Sequence, residues 1–116
     1  PVVIVAEGLL MFLTPADVTE LLHRLVDRFD TGELFADLLS KWGPRLSRVS
    51  SSGIIKWGDR DGGVITRWEP RLRLIEATAV TAGFAKIPLA PQRLLYRTLN
   101  AIPVQRNFDR LYRFAF

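Results

Sequence analysis

Two periodicities divide the first forty residues. "VVIVA" (2–6) is a short, continuous, β-branched run, the pattern of a strand buried on both faces of a parallel sheet. Farther on, Val18, Leu21, Leu22, Leu25, Val26 and Phe29 recur at the spacing of a single helical stripe, which predicts a helix to about Phe29. Thr14 and Pro15 supply its N-cap and first-turn proline, and Asp17 places a carboxylate three residues after the cap, where the helix dipole favours it. Glu20 and Arg24 lie four apart on the outer side, as do His23 and Asp27. "DTG" (30–32) breaks the helix and "ELFADLLS" (33–40) suits a second strand. Strand, helix and strand with short joints make a βαβ unit, predicting a parallel pair with a right-handed crossover.

Beyond Ser40 the pattern loosens. "KWGPRLSRVSSSG" (41–53) holds a Trp-Gly-Pro turn and a short amphipathic helix that ends in a polar Ser run. "IIKWGDRDGG" (54–63) is an apolar patch ending in turn chemistry, and "GVITRWEP" (63–70) allows one or two helical turns before Pro70. "RLRLIEATAV" (71–80) alternates partially and predicts a strand; 81–90 read as a loop. "PQRLLYRTLNAI" (91–102) opens on a helix-starting proline and carries Leu94, Leu95, Leu99 and Ile102, while "DRLYRFAF" (109–116) closes the chain as a mostly apolar strand.

Length and composition set the class. The 116 residues suit one domain, and 48% apolar with 24% charged residues is a globular balance. The apolar run Leu9 to Leu13 is far shorter than the ~20 residues of a membrane span, and no basic region precedes the first strand as in a signal peptide. Without cysteine there is no disulfide or thiolate chemistry, so a cytoplasmic location is expected. The chain begins at Pro1 directly on a strand, as a fragment or processed piece would. The net charge of +4 is uneven: residues 1–50 carry five Lys/Arg against seven Asp/Glu, whereas residues 51–116 carry eleven against five. The basic residues are dispersed through strand and helix patterns, which points to a solvated face; neither a nucleic-acid nor a membrane partner is expected.

Motifs exclude more than they assign. One histidine and no cysteine give no usual metal set, and His23 beside Asp27 reads as an exposed helix residue, not part of a Ser-His-Asp arrangement. No G-x-G occurs, so there is no dinucleotide fingerprint. Glu7 stands out because it interrupts an apolar run at a strand's carboxyl end, where open α/β sheets bind ligands. Asp37 holds the matching place in the second strand; if the strands are neighbours, both carboxylates face one rim. Gly8 permits close backbone approach there. A solvated strand-end acid is the competing reading.

"VVIVAEGLLMFLTPADVTELLHRLVDRF" followed by "GELFADLLS" resembles the S-adenosylmethionine-dependent O-methyltransferases that include leucine carboxyl methyltransferase and polyketide-type O-methyltransferases. That family has a strand ending in A-E-G/C, then a run ending in Tyr-Leu or Tyr-Met, then a Thr-Pro helix start. "IIKWGDRDGGVITRWEPRLRLIEATAV" and the terminal "RLYRFAF" resemble its C-terminal region more loosely. The resemblance implies an α/β fold: the C-terminal portion of a doubly wound, mostly parallel, Rossmann-like methyltransferase sheet. Residues 1–116 would form a single, partial domain supplying the fourth, fifth and sixth strands and an antiparallel last strand inserted into the sheet. It implies S-adenosylmethionine as cofactor, with Glu7 at the position of the family's cofactor-contacting glutamate, and a small-molecule methyl acceptor with a carboxylate or hydroxyl. Asp37 resembles the acid ending the next strand, near the acceptor side.

Trp42, Trp57 and Asp59 are substrate-side candidates because they fall in irregular segments; core or loop-anchoring aromatics and a turn acid are the alternative. Phe12 replaces the family's usual tyrosine, so a hydroxyl is missing there. The glycine-rich turn and the ribose-binding acid of the cofactor-binding first half have no counterpart. The expectation is a fragment or truncated form of the enzyme that works only with a complementing N-terminal half. The alternative is a catalytically inactive remnant or protein-pairing module of the same fold, a homodimer among its possible forms.

Overall fold

The computed structural model describes residues 1–50, 53–103 and 107–116, and the side chains of all of these except Ser50 and Phe84. The predicted Ser run therefore lies partly outside the described residues, at Ser51 and Ser52. The first strand, β1 (Val2–Ala6), leads through a 3-10 turn (Leu10–Phe12) into helix α1 (Pro15–Arg28). The helix begins where the sequence places it: Asp17 N–H donates to Thr14 Oγ1 at 3.2 Å and Thr14 N–H to Asp17 Oδ2 at 3.4 Å, a reciprocal capping box. Val18 and Leu22 are its buried residues, with Leu21 and Val26 packed beside them.

Strand β2 (Gly32–Leu39) pairs in parallel with β1, Val2 opposite Gly32 and Ala6 opposite Ala36. Helices α2 (Trp42–Ser50) and α3 (Gly63–Trp68) follow, then β3 (Arg73–Ala79), a 3-10 segment (Val80–Lys86), helix α4 (Ala90–Ala101) and β4 (Asp109–Ala115). The segment 81–90, expected as a loop, is thus largely helical. Its run of Val80, Ala82, Ala85 and Lys86 lacks the apolar period of a longer helix, which is why the sequence concealed it.

The sheet order is β1-β2-β4-β3, with β4 antiparallel to both of its neighbours. The fold is α/β with a four-stranded mixed sheet containing one parallel and two antiparallel pairings. The expected prevalence of parallel pairs is corrected accordingly: β1, β2 and β3 run the same way, but β4 lies between β2 and β3 and converts what would be a parallel pairing into two antiparallel ones. Pairing of β3 is also irregular, its register shifting between Leu74 and Glu76.

One face of this sheet carries the core. Ala6, Leu34, Ala36, Leu38, Tyr112 and Phe114 point into it and meet Leu10, Val18 and Leu22 from the α1 side and Ile65 from α3. Helix α4 stands apart. None of its residues is buried, its Leu94 and Leu95 are exposed, and it is tied to the 3-10 segment by Thr81 Oγ1 donating to Asn100 Oδ1 at 3.1 Å. Among the described residues no helix is long and apolar enough to cross a membrane.

Candidate functional site

The break in the first apolar run sits where the chain leaves the sheet. Glu7 lies one step beyond the last rung of the β1/β2 pairing, Ala6 opposite Ala36, so the register carries it to the level of Asp37. Gly8 turns the chain with φ +60°, in the left-handed region that favours glycine, and a Cβ there would meet nothing within 4 Å. Its N–H donates to Asp37 Oδ1 at 2.7 Å. The peptide after Glu7 therefore clips the end of β1 to the acid of β2. The two carboxylates the sequence singled out do share one rim.

A third carboxylate joins them. Asp109 is the first residue of β4, opposite Leu39 of β2, and lines with Glu7, Asp37, Val5, Phe35 and Leu111 a cleft of about 500 Å³. Burial pushes the Asp109 carboxyl up to about 6, and the neighbouring negative charges of Asp37 and Glu7 push in the same direction. Among the described residues its buried Oδ1 has no hydrogen-bond partner. Sequence reasoning missed Asp109. The available signal was an acid heading an apolar strand, but only the insertion of β4 beside β2 brings it to Glu7. Among the described residues no three His, Cys, Asp or Glu side chains are grouped to hold a metal ion. The arrangement has the charge and width for an organic cation.

The proposed substrate-side residues separate. Trp42 is exposed on α2, with the Arg45 guanidinium 4.9 Å from its ring centroid, and lines a different cleft at the end of β2. Trp57 belongs to the core: its Nε1–H donates to Leu10 O at 2.9 Å and its ring meets Trp68 edge-on at 4.7 Å. Asp59 is buried and organises the turn into α3, its Oδ1 accepting from Arg60 N–H at 2.6 Å and its Oδ2 from Val64 N–H at 2.9 Å. Of the two readings the sequence offers for Trp57 and Asp59, these contacts are those of a core aromatic and a turn acid. Gly58 explains why they are held so firmly: a Cβ there would come within 2.2 Å of Ser40 O, so the backbone of this segment is pressed against the end of β2.

His23 is half exposed, but its contacts differ from the expected i,i+4 pair. Its Nε2 lies 2.9 Å from Trp68 O and 3.6 Å from Glu69 Oε2, while Asp27 accepts from Arg71 at 2.7 Å. Glu69 is buried, and the Arg71 guanidinium hydrogen-bonded to it holds its carboxyl below the usual carboxylate range. Glu20 and Arg24 form the predicted helix-surface ion pair. His23 and Asp27, through Trp68, Glu69 and Arg71, staple α1 to the α3–β3 turn, away from the acidic cleft. No protein-family model matches the chain, and no curated protein matches it.

Proposed function

We propose that this chain is the C-terminal portion of an S-adenosylmethionine-dependent O-methyltransferase with a Rossmann-like sheet, and that its acidic cleft receives the charged end of the methyl donor. The observation that carries this reading is the convergence of Glu7, Asp37 and Asp109 at the carboxyl ends of the parallel strands β1 and β2, around the open backbone of Gly8. Open α/β sheets bind ligands at that end, and the donor presents a cationic sulfonium and an ammonium to which carboxylates are complementary. The strand order β1-β2-β4-β3, with the last strand antiparallel, supports the fold half of the proposal, since the resemblance implies an inserted antiparallel final strand.

The donor supplies an activated methyl on a positively charged sulfur. Glu7 would face its cationic end, with Asp37 held beside Gly8 N–H and Asp109 adding negative charge once ionised. The methyl acceptor is a small molecule offering a carboxylate or hydroxyl oxygen; a carboxylate would need no base to activate it, whereas a hydroxyl would benefit from one. The residues described here fit the charged end of the donor alone. No glycine-rich turn is present in the sequence for the adenosine end, so the reading includes a complementing N-terminal half added at the free edge of β1.

Calorimetric titration of S-adenosylmethionine tests this, with the isolated chain and with the chain completed by its upstream half. The expected result is negligible binding by the isolated chain and clear binding by the completed protein, weakened about tenfold by Glu7→Gln, as for loss of one charge-assisted contact. Unchanged affinity in the variant would reduce Glu7 to a solvated strand-end acid. The uncovered face of β1 favours a second reading, a catalytically inactive pairing module: Val3 and Val5 are 65% and 66% exposed on an edge strand, a template for association. A completed protein that assembles but binds no donor would select it.

A further inference from the structure

A second cleft opens at the same end of the sheet with the opposite charge. Ser40 and Lys41 leave β2, Trp42 begins α2, and Arg60 reaches them from the turn before α3; together with Pro103 and Asn107 they line about 380 Å³, a size common for small-ligand sites. Ser40 is fixed by its own N–H donating to Phe108 O at 2.7 Å and by its carbonyl accepting from Gly43 N–H at 2.8 Å. The turn bearing Arg60 is fixed from both sides: Asp59 Oδ1 accepts its N–H and the Tyr112 hydroxyl donates to its carbonyl at 3.1 Å. Both cations therefore start from anchored backbone, yet among the described residues neither Lys41 nor Arg60 has a carboxylate within ion-pairing distance. Arg45 lies over the Trp42 ring and adds positive charge beside the cleft, while Trp42 remains 56% exposed. The amino end of α2 adds its partial positive charge.

We propose that this cleft binds an aromatic anion: a planar ring against the exposed Trp42 indole, with its carboxylate or phosphate oxygens between Lys41 and Arg60. Two cations with no carboxylate partner among the described residues select negative oxygen, and an exposed indole at a helix start selects a flat apolar body. This site is separate from the acidic cleft and does not depend on a methyl donor.

The test is a titration of the full chain followed by the indole N–H signals of its three tryptophans, the Trp42 signal being identified as the one lost in Trp42→Phe. The probes are 1-naphthoate, 1-naphthyl phosphate and the neutral 1-naphthylmethanol. The proposal expects the anions to shift the Trp42 signal, with those of the core residues Trp57 and Trp68 little changed, and the neutral probe to bind about tenfold more weakly, the size of one charge-assisted contact. Lys41→Gln and Arg60→Gln should each weaken the anions by a similar factor, while Arg73→Gln, which removes an exposed cation at the start of β3, should not. The tighter of the two anions identifies the source as a carboxylate or a phosphate. Equal binding of the neutral probe, equal loss in all three variants, or an unmoved Trp42 signal would each overturn the site.

Discussion

The two faces of the sheet differ in composition and in surroundings. On the covered face Leu34 pairs with Phe114 and Ala36 with Tyr112, and all four are buried beneath α1 and α3. On the other face the intervening rungs pair Phe35 with Arg113 and Asp37 with Leu111; Val3, Val5 and Leu111 are exposed there. Among the described residues a single ion pair, Arg113 with Glu33 at 2.6 Å, crosses that face, with the guanidinium 5.8 Å from the Phe35 ring centroid. Alternation makes most of the second face polar, through Glu33, Asp37, Glu76 and Arg113, and "VVIVA" keeps its β1 edge apolar. The difference teaches that β1 alone is apolar throughout on both faces, the composition of a strand suited to burial on both sides, while the other strands alternate.

The sharpest way to break the comparison is to remove the same ring from each face. Phe114→Ala should destabilise the chain by about 3–5 kcal/mol in denaturant unfolding, as for an aromatic removed from a packed core, and Phe35→Ala by about 1 kcal/mol or less. Equal losses would mean that the second face is covered in solution. Next in size is Glu69→Gln, which strips the staple from the covered side. The folded-state pKa of Glu69 lies below its ordinary 4.5, so its contribution is present above about pH 4.5 and lost as pH falls through the depressed value. The variant should unfold at lower denaturant at pH 7, with the gap from the parent closing in acid.

Asp109→Asn should do the opposite. A carboxyl raised from 3.8 to about 6 opposes folding once ionised, so its cost is absent below about pH 4 and grows as pH rises through 6. At pH 7 the variant should gain on the order of 1 kcal/mol, a figure reduced from the full shift because the group is partly exposed. No gain would mean that the three carboxylates of the rim are fully solvated. The smallest stability effect belongs to Val5→Thr, within about 0.5 kcal/mol as for an exposed position. Its larger effect should appear in sedimentation of the isolated chain, which should shift toward monomer if the uncovered face drives association.

The first forty residues were the most legible because their interactions are local or nearly so. Thr14, Pro15 and Asp17 state a helix start within four residues, and the stripe from Val18 through Val26 states which side packs. The βαβ unit follows from element order, and with it the shared rim of Glu7 and Asp37. Trp57 and Asp59 had two readings because an irregular segment gives no period from which to read burial; they are held by Leu10 O and by the backbone N–H groups of the turn, contacts invisible along the chain. His23 is the exposed helix histidine the sequence predicts, and only its partner lay out of sight. Its i,i+4 neighbour Asp27 was already committed to Arg71, forty-four residues away.

What the sequence determined by itself is most of the elements and their chemistry: a parallel strand pair, a capped amphipathic helix, and a carboxylate at the end of each strand of that pair. It did not determine the exposure of Val3 and Val5 on β1, which the sequence reads as a strand buried on both faces. What the tertiary structure decided is which distant groups share a rim. Only the insertion of β4 between β2 and β3 brings Asp109 to Glu7 and Asp37, and only the turn at Arg60, pressed against the end of β2 through Gly58, sets a cation beside Lys41 and Trp42. The physical reason is range. Caps and periodicities act over three or four residues, whereas strand order is settled by the burial of whole faces, which no local pattern encodes.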